Sequence, residues 1–326
     1  MRLGLLHTLR HPEMSPAGAP ADLWDDADTP DTVAGFVAAL GELGHAVTVS
    51  IDTACAPLAA YEALRGVDLA LSLAVGWRGR DREAQAPALL EALGIPYLGS
   101  PPLTLALCLD KAASKYLLMA ASVPTPAFAL GRAPCGARFP LFVKPSREGS
   151  SKGVAPSSHV GDPAELAAAV ARVEAAYAQP ALVEAYIPGR ELCTAILGGR
   201  FLPVLEVAMP ARGFGTAADK EDLWRSLPVT CPAVIPPQLA RRLEVLTRRA
   251  CAVLGVRHMA RLDFRWDGAG EPQLIDVNPL PTLRRGGSYV EVMAAAAGLD
   301  YRALWAALLD AAASPTAPAA ASPPRS

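Results

Sequence analysis

The sequence predicts an α/β protein that passes into α+β architecture in its C-terminal half, and three observations carry that expectation. Short apolar runs alternate with helical periods through the first hundred residues, the pattern of a parallel sheet covered on both faces. Beyond residue 180 the alternation gives way to two hairpin signals, Gly198-Gly199-Arg200 and Asp267-Gly268. The 326 residues, 52% apolar and only 19% charged, suffice for two or three units with buried cores.

Met1–His7 reads as the first strand. Thr29-Pro30 supplies an N-cap and a first-turn proline for a helix in which Val33, Phe36, Val37 and Leu40 recur at i, i+3, i+4 and i+7, and Gly44 stops it. Ala46–Ile51, Val67–Leu73 and Ile95–Leu98 are further strands, and Glu83–Leu93 is a helix stopped by Gly94. The stretch His7–Asp28 carries no period and reads as a loop. From Pro102 the pattern changes. Leu103–Ala121 is expected to be helical, Val123–Pro126 extended, Pro140–Lys144 a strand, and Pro145–Gly153 a loop rich in Gly and Ser. Asp162 caps a helix with Leu166, Val170, Val173 and Tyr177 on one side, and the strand Ala181–Ile187 ends at Pro188-Gly189. Glu191–Leu197 and Phe201–Val207 flank the first hairpin turn, and Val256–Trp266 and Pro272–Pro279 the second. Between them Pro237–Leu254 is a long helix closed by Gly255, and two short helices end the fold near Ala313. The expected domains are 1–101, 102–187 and 188–313, followed by a proline-rich tail, 314–326, expected to be disordered.

Composition removes several function classes. Thirty basic against 32 acidic residues leave a net charge of −2, which argues against a nucleic-acid binder. The uncharged run Ala92–Leu109 is interrupted by Gly94, Pro96, Gly99, Pro101 and Pro102, so no membrane span is expected. Arg10 and His11 follow the first apolar residues too early for a signal peptide. The cysteines at 55, 108, 135, 193, 231 and 251 form no Cys-x-x-Cys pair and no cluster at zinc-site spacing. They are expected to be reduced, mostly buried, and cytoplasmic.

The strongest chemical signal is Arg261-Leu-Asp263-Phe-Arg265 facing Leu274-Ile-Asp276-Val-Asn278. With a side-chain period of two, Arg261, Asp263 and Arg265 share one face, as do Asp276 and Asn278. A turn near Ala269 sets residues 263 and 276 opposite each other, their Cβ atoms about 4.5–5.5 Å apart. Two carboxylates that close repel unless a cation lies between them, and hard oxygen donors suit Mg²⁺. The same pattern also suits a hairpin whose polar face meets water. A second signal is Phe142-Val-Lys144-Pro-Ser-Arg-Glu-Gly149-Ser150-Ser151-Lys-Gly153, a lysine at a strand end before a loop whose N–H groups can meet phosphate oxygens; an ordinary mobile loop has the same composition. It is not a Walker loop, and Gly76-Trp-Arg-Gly79 does not match the dinucleotide fingerprint. The third is Leu182-Val-Glu184 to Glu191, a strand running into a Pro-Gly turn, whose exposed backbone can meet a flat heteroaromatic ring while Glu184 and Glu191 accept from amine and ribose hydroxyl groups. An edge strand with surface acids reads the same way.

Taken in order, Asp110-Lys111, Phe142-Val-Lys144-Pro with Arg147-Glu-Gly-Ser-Ser151, Val183-Glu184 to Gly189-Arg-Glu191, Arg261-Leu-Asp263 and Asp276-Val-Asn278-Pro-Leu-Pro281 resemble the ATP-grasp fold and, more narrowly, D-alanine–D-alanine ligases. The resemblance covers roughly residues 66–312, and Leu93-Gly-Ile-Pro-Tyr-Leu-Gly-Ser100 is similar to the family's link between the first and second domains. It implies a Rossmann-like N-terminal domain and two α+β subdomains clasping ATP. It further implies that Lys111 and Lys144 contact phosphates, that Ser150 and Ser151 close over them, and that Lys220 is a third phosphate lysine. By the same resemblance Glu184, Ala185, Tyr186 and Ile187 line the adenine pocket, and Glu191 holds the ribose. Asp263, Asp276 and Asn278 would ligate two Mg²⁺ ions, with Mn²⁺ as the alternative metal. Arg261 would orient the reacting carboxyl group, and Gly287 and Ser288 would lie near the carboxylate of the second substrate.

The implied activity is ATP-dependent coupling of an amino-acid carboxylate to an amine through an acyl phosphate, with amino-acid or peptide substrates and a homodimeric assembly. The alternatives are an ATP-grasp enzyme that spends the acyl phosphate on intramolecular cyclisation, and a catalytically silent nucleotide-binding module. Four departures from the family stand out. No glycine-rich turn with an acid for the substrate ammonium follows the first strand, where Glu13, Asp25, Asp26 and Asp28 are the candidates in its place. Ala185 stands where Lys is usual, and Asp276 where Glu is commoner. Arg284-Arg285-Gly286-Gly287 differs from the family's usual loop.

Overall fold

The computed structural model describes residues 1–216, 219 and 227–314. The first sheet is parallel, with strands β1 (Arg2–His7), β2 (Ala46–Asp52), β3 (Leu69–Ser72) and β4 (Tyr97–Leu98) in the order β2-β1-β3-β4. Helix α1 (Pro30–Glu42) begins where Thr29 accepts from the Thr32 amide, and α2 (Gln85–Leu93) ends on the left-handed Gly94. Both ends follow the capping signals in the sequence.

Leu103–Ala121, expected as one helical stretch, is two helices. They are α3 (Pro102–Leu109) and α4 (Lys111–Ala120). Asp110 breaks the run by adopting an extended ψ of 94°, which frees its carboxylate to accept from the Ala113 amide at 3.0 Å and cap α4. An aspartate gains more as an N-cap than within a helix. The break sets Lys111 in the first turn of α4, buried against the cleft described below.

The second sheet, β5-β8-β6-β7, is antiparallel and packs against α5 (Pro163–Tyr177). Its strands are β5 (Phe128–Leu130), β6 (Leu141–Pro145), β7 (His159–Val160) and β8 (Ala181–Ala185). β5 and β7 were not foreseen; at three and two residues they are too short to show a period. The third sheet is antiparallel, ordered β12-β11-β9-β13-β14, with β10 on β9. It comprises β9 (Arg190–Leu197), β10 (Arg200–Phe201), β11 (Leu205–Val207), β12 (Val229–Thr230), β13 (Met259–Trp266) and β14 (Gln273–Asn278). Helix α6 (Pro237–Leu254) stacks Leu239, Leu243, Leu246, Ala250 and Leu254 onto one face of it.

The C-terminal helices α7 (Tyr289–Ala296) and α8 (Tyr301–Ala313) close the other side. Trp305 of α8 is fully buried and meets Phe36 of α1 edge-on at 5.5 Å, so the first and third sheets share one core. Among the described residues no single helix is long and apolar enough to cross a membrane. The expected tail lies outside the described residues beyond Ser314.

Candidate active site

A cleft of about 400 Å³ opens where the three sheets meet. One wall is the β13–β14 hairpin. Its register pairs Arg261 with Asn278 and Asp263 with Asp276, and Leu262 with Val277 between them. Alternation therefore sends Leu262 and Phe264 into the core, both 0% exposed, and turns the polar set to the cleft. Arg261 grips Asp263 with two parallel bonds of 2.8 and 2.9 Å. Asp276 lies 3.1 Å from the Lys111 ammonium, and Asn278 Oδ1 accepts from the Leu280 amide. Burial alone would raise the Asp276 pKa, but Lys111, Lys144 and Arg261 hold it below the ordinary range. Burial opposes the charge on Arg261, and Asp263 more than restores it.

The opposite wall is β6 and β8. Lys144 on β6 and Glu184 on β8 are 2.7 Å apart, and Glu184 also meets Lys115 of α4 at 2.6 Å. Glu184 is 3% exposed, and the two lysines hold its carboxyl below the ordinary range against the effect of burial. Lys144 ends above its ordinary range because Glu184 and Asp276 outweigh burial; for Lys115 burial dominates and lowers it. Glu184, expected as an open acceptor for a ligand amine, thus has both carboxylate oxygens engaged by protein ammonium groups. Its evident effect is to hold Lys144 in place. Lys115 was missed in the sequence, although it lies four residues after Lys111 and therefore on the same helix face.

Where β8 leaves the sheet, Ala185, Tyr186 and Ile187 line the cleft. The Tyr186 hydroxyl donates to the Gly213 carbonyl, and the Ile187 carbonyl accepts from Arg265 at 3.1 Å. Arg265 also reaches Glu191 at 3.3 Å, which fixes that carboxylate on the cleft rim. The turn between these strands requires glycine at 189, where φ is +96° and a Cβ would strike the Trp266 carbonyl.

The loop after β6 roofs the cleft. Ser150 and Ser151 both adopt left-handed backbone, φ 51° and 60°, a conformation that costs L-residues about 1–2 kcal/mol each. Buried ion pairs hold the roof in place. Lys152, 3% exposed, reaches Asp26 at 2.8 Å and Glu148 at 2.9 Å, and Arg82 reaches the same two acids at 3.1 and 3.0 Å. Asp22 accepts from the Gly153 amide and the Tyr177 hydroxyl. The segment His7–Asp28, expected as a featureless loop, is a strap stapled at its base by the Asp28 amide on the Thr8 carbonyl and the Arg10 amide on the Asp28 carbonyl. The contacts that tie it to the roof are polar and long-range, so no local period announces them.

The acids considered for a substrate ammonium group separate clearly. Asp26 is consumed by Arg82 and Lys152, and the exposed Glu13 pairs with His11 at 2.9 Å outside the cleft. Asp25 and Asp28 line the cleft, as does Asp26, but only Asp26 is held by both Arg82 and Lys152. Burial pushes the Asp28 carboxyl up to about 7. Glu83, on the same wall and not foreseen, is raised to about 7 for the same reason. Gly287 lines the cleft, whereas the Ser288 hydroxyl is turned away, donating to the Thr282 carbonyl at 2.5 Å and capping α7. Lys220 lies outside the described residues.

The family described as D-ala D-ala ligase C-terminus matches residues 133–310. A D-alanine–D-alanine ligase of Stutzerimonas stutzeri is 37% identical over 75% of this chain and 77% of its own length, and that of Halorhodospira halophila is 38% identical over 77% and 81%. The uncharacterized protein y4sG of Sinorhizobium fredii is 36% identical over 91% of both chains. Among solved structures, the Bacillus anthracis D-alanine–D-alanine ligase complexed with ATP superposes with a TM-score of 0.75 at 24% identity, covering 96% of this chain and 97% of its own. On this similarity the chain belongs to the D-alanine–D-alanine ligase family, has the ATP-grasp fold, and is an ATP-dependent carbon–nitrogen ligase.

Proposed function

We propose that the protein condenses two amino acids, with D-alanine at both positions as the first candidates, at the cleft between the β6–β8 wall and the β13–β14 hairpin. The observation that carries this reading is the convergence of Lys111, Lys144, Arg261, Asp263, Asp276 and Asn278 on that single cleft. A carboxylate does not accept an amine at neutral pH, so it is first phosphorylated by ATP and the acyl phosphate is then attacked. Lys111 and Lys144 neutralise phosphate oxygens as charge moves to the transferred group. The backbone of Tyr186–Ile187 meets the adenine, and Glu191 receives the ribose hydroxyls.

The oxygens of Asp263, Asp276 and Asn278 are hard donors on one face of one hairpin, a set that fits Mg²⁺ or Mn²⁺. Two bound Mg²⁺ ions would supply further neutralisation of the triphosphate. Arg261 orients the reacting carboxyl group and faces the oxyanion that forms when the amine attacks. Asp28, whose carboxylate is on the cleft wall, is the proposed seat for the ammonium group of the first substrate, beside Asp25. The roof at 146–153 keeps water from hydrolysing the acyl phosphate. A cytoplasmic location and a homodimeric assembly carry over from the family resemblance.

The test is phosphate release from ATP and Mg²⁺ across a panel of D- and L-amino acids, with products read by mass spectrometry. Release stimulated by D-alanine with an equimolar dipeptide is expected. Release with a single amino acid and no dipeptide would support cyclisation instead, and no stimulated release with any member would support the silent module.

A further inference from the structure

We propose that His11, Asp52 and Cys55 form a binding site for one zinc ion, outside the cleft and independent of the ligase reading. These residues come together only in the fold, at the C-terminal ends of β1 and β2. Asp52 closes β2, and its Oδ1 is fixed by the Leu9 and Ala54 amides at 3.1 and 3.0 Å. That leaves Oδ2 directed outward, 2.6 Å from His11 Nε2 and 3.5 Å from Cys55 Sγ. The three donor atoms all lie within 4.8 Å of one another.

Tetrahedral zinc, with bonds of about 2.0–2.3 Å, needs donors roughly 3.3–3.7 Å apart. The Asp52–Cys55 pair already meets that spacing, and the His11–Asp52 pair reaches it by opening roughly 1 Å. The second ring nitrogen of His11, Nδ1, lies 2.9 Å from the Glu13 carboxylate. A carboxylate on the far nitrogen fixes the tautomer that offers Nε2 to a metal and increases its basicity. The walls are also set: Trp24 packs edge-on against His11, and Trp77 Nε1 donates to the Ala54 carbonyl.

Nitrogen, oxygen and sulfur from one residue each suit a borderline cation such as Zn²⁺ and disfavour Mg²⁺, which avoids thiolate. Three protein donors leave the fourth position to water. The site would tie His11 to the end of β2, and so fix the near end of the strap whose Asp22 and Asp26 hold the roof of the cleft.

The full-length protein, stripped with a chelator and dialysed, is titrated with Co²⁺ and then Zn²⁺ while absorption is recorded. One equivalent of Co²⁺ is expected to give a thiolate-to-cobalt charge-transfer band that Zn²⁺ abolishes. Oxygen-only sites in the cleft give no such band. Cys55→Ser, at an exposed position, is expected to lose the band while keeping the parent circular dichroism. His11→Gln is expected to weaken Zn²⁺ by at least tenfold and Glu13→Gln by about tenfold. Cys135→Ser, the other exposed thiol, is the control and should leave the band unchanged. Absence of the band in the parent, or its survival in Cys55→Ser, would overturn the site.

Discussion

In the β13–β14 hairpin each cleft-facing side chain is placed by backbone geometry: alternation selects the face, and the Asp263–Asp276 register selects the height. In the strap at residues 8–28 the backbone is irregular, and position is set by buried charges, Asp26 against Arg82 and Lys152. The hairpin would keep its arrangement if any one polar residue changed, because hydrogen bonds to β9 and the buried Leu262 and Phe264 hold it. The strap has a slighter reserve, two backbone bonds at its base and the buried Trp24. Regular backbone thus places the hairpin's polar groups, while ionic contacts hold the strap and the roof.

The predictions probe this contrast. Asp276→Ala should lower kcat by about three orders of magnitude, since it removes one of the oxygen donors proposed to hold Mg²⁺, with unchanged circular dichroism. Residual turnover near that of the parent would detach the hairpin from the chemistry. Glu184→Gln removes the carboxylate that directly contacts the buried Lys115 and Lys144, and should cost about 3–5 kcal/mol in a urea unfolding curve. A smaller loss would mean that water reaches those lysines.

Unlatching the strap with Asp26→Asn should act on closure: an apparent KM for ATP higher by about tenfold and a larger share of ATP hydrolysed without product. If the same change left KM alone and lowered only kcat, the strap would belong with the reacting groups. The smallest effect concerns Glu83, whose carboxyl is raised from 4.5 to about 7 by burial. Because the folded state favours the protonated form, its contribution is fully present below about 4.5 and is lost as pH rises towards 7. Glu83→Gln should remove that part of the decline in stability between those pH values, read as a flatter dependence of the unfolding midpoint.

Much of the hairpin was legible because its information is local. Arg261, Asp263, Asp276 and Asn278 sit at alternate positions about a turn signal, and a period of two leaves few choices of face. The long helix Pro237–Leu254 was legible to the residue, since its proline start, apolar stripe and closing Gly255 are all written locally. The strap was not, because Asp22, Asp26, Arg82 and Lys152 are separated by up to 130 residues and their types alone do not say which acid meets which base. Lys115 and the divided helix at Asp110 fell between these cases, each with a local cue whose meaning depended on what packed beside it.

The sequence by itself determined the succession of elements, the caps that bound them and the order of the motifs, because these follow from backbone preferences and side-chain periods over a few residues. Tertiary structure alone decided which charges became partners. It turned Glu184 inward onto two lysines, paired Asp26 with Arg82 and Lys152, left Asp28 on the cleft wall, and brought His11 to Asp52 and Cys55. Coulomb attraction and desolvation act through space between groups far apart in the chain, and their outcome is fixed only when the sheets have packed.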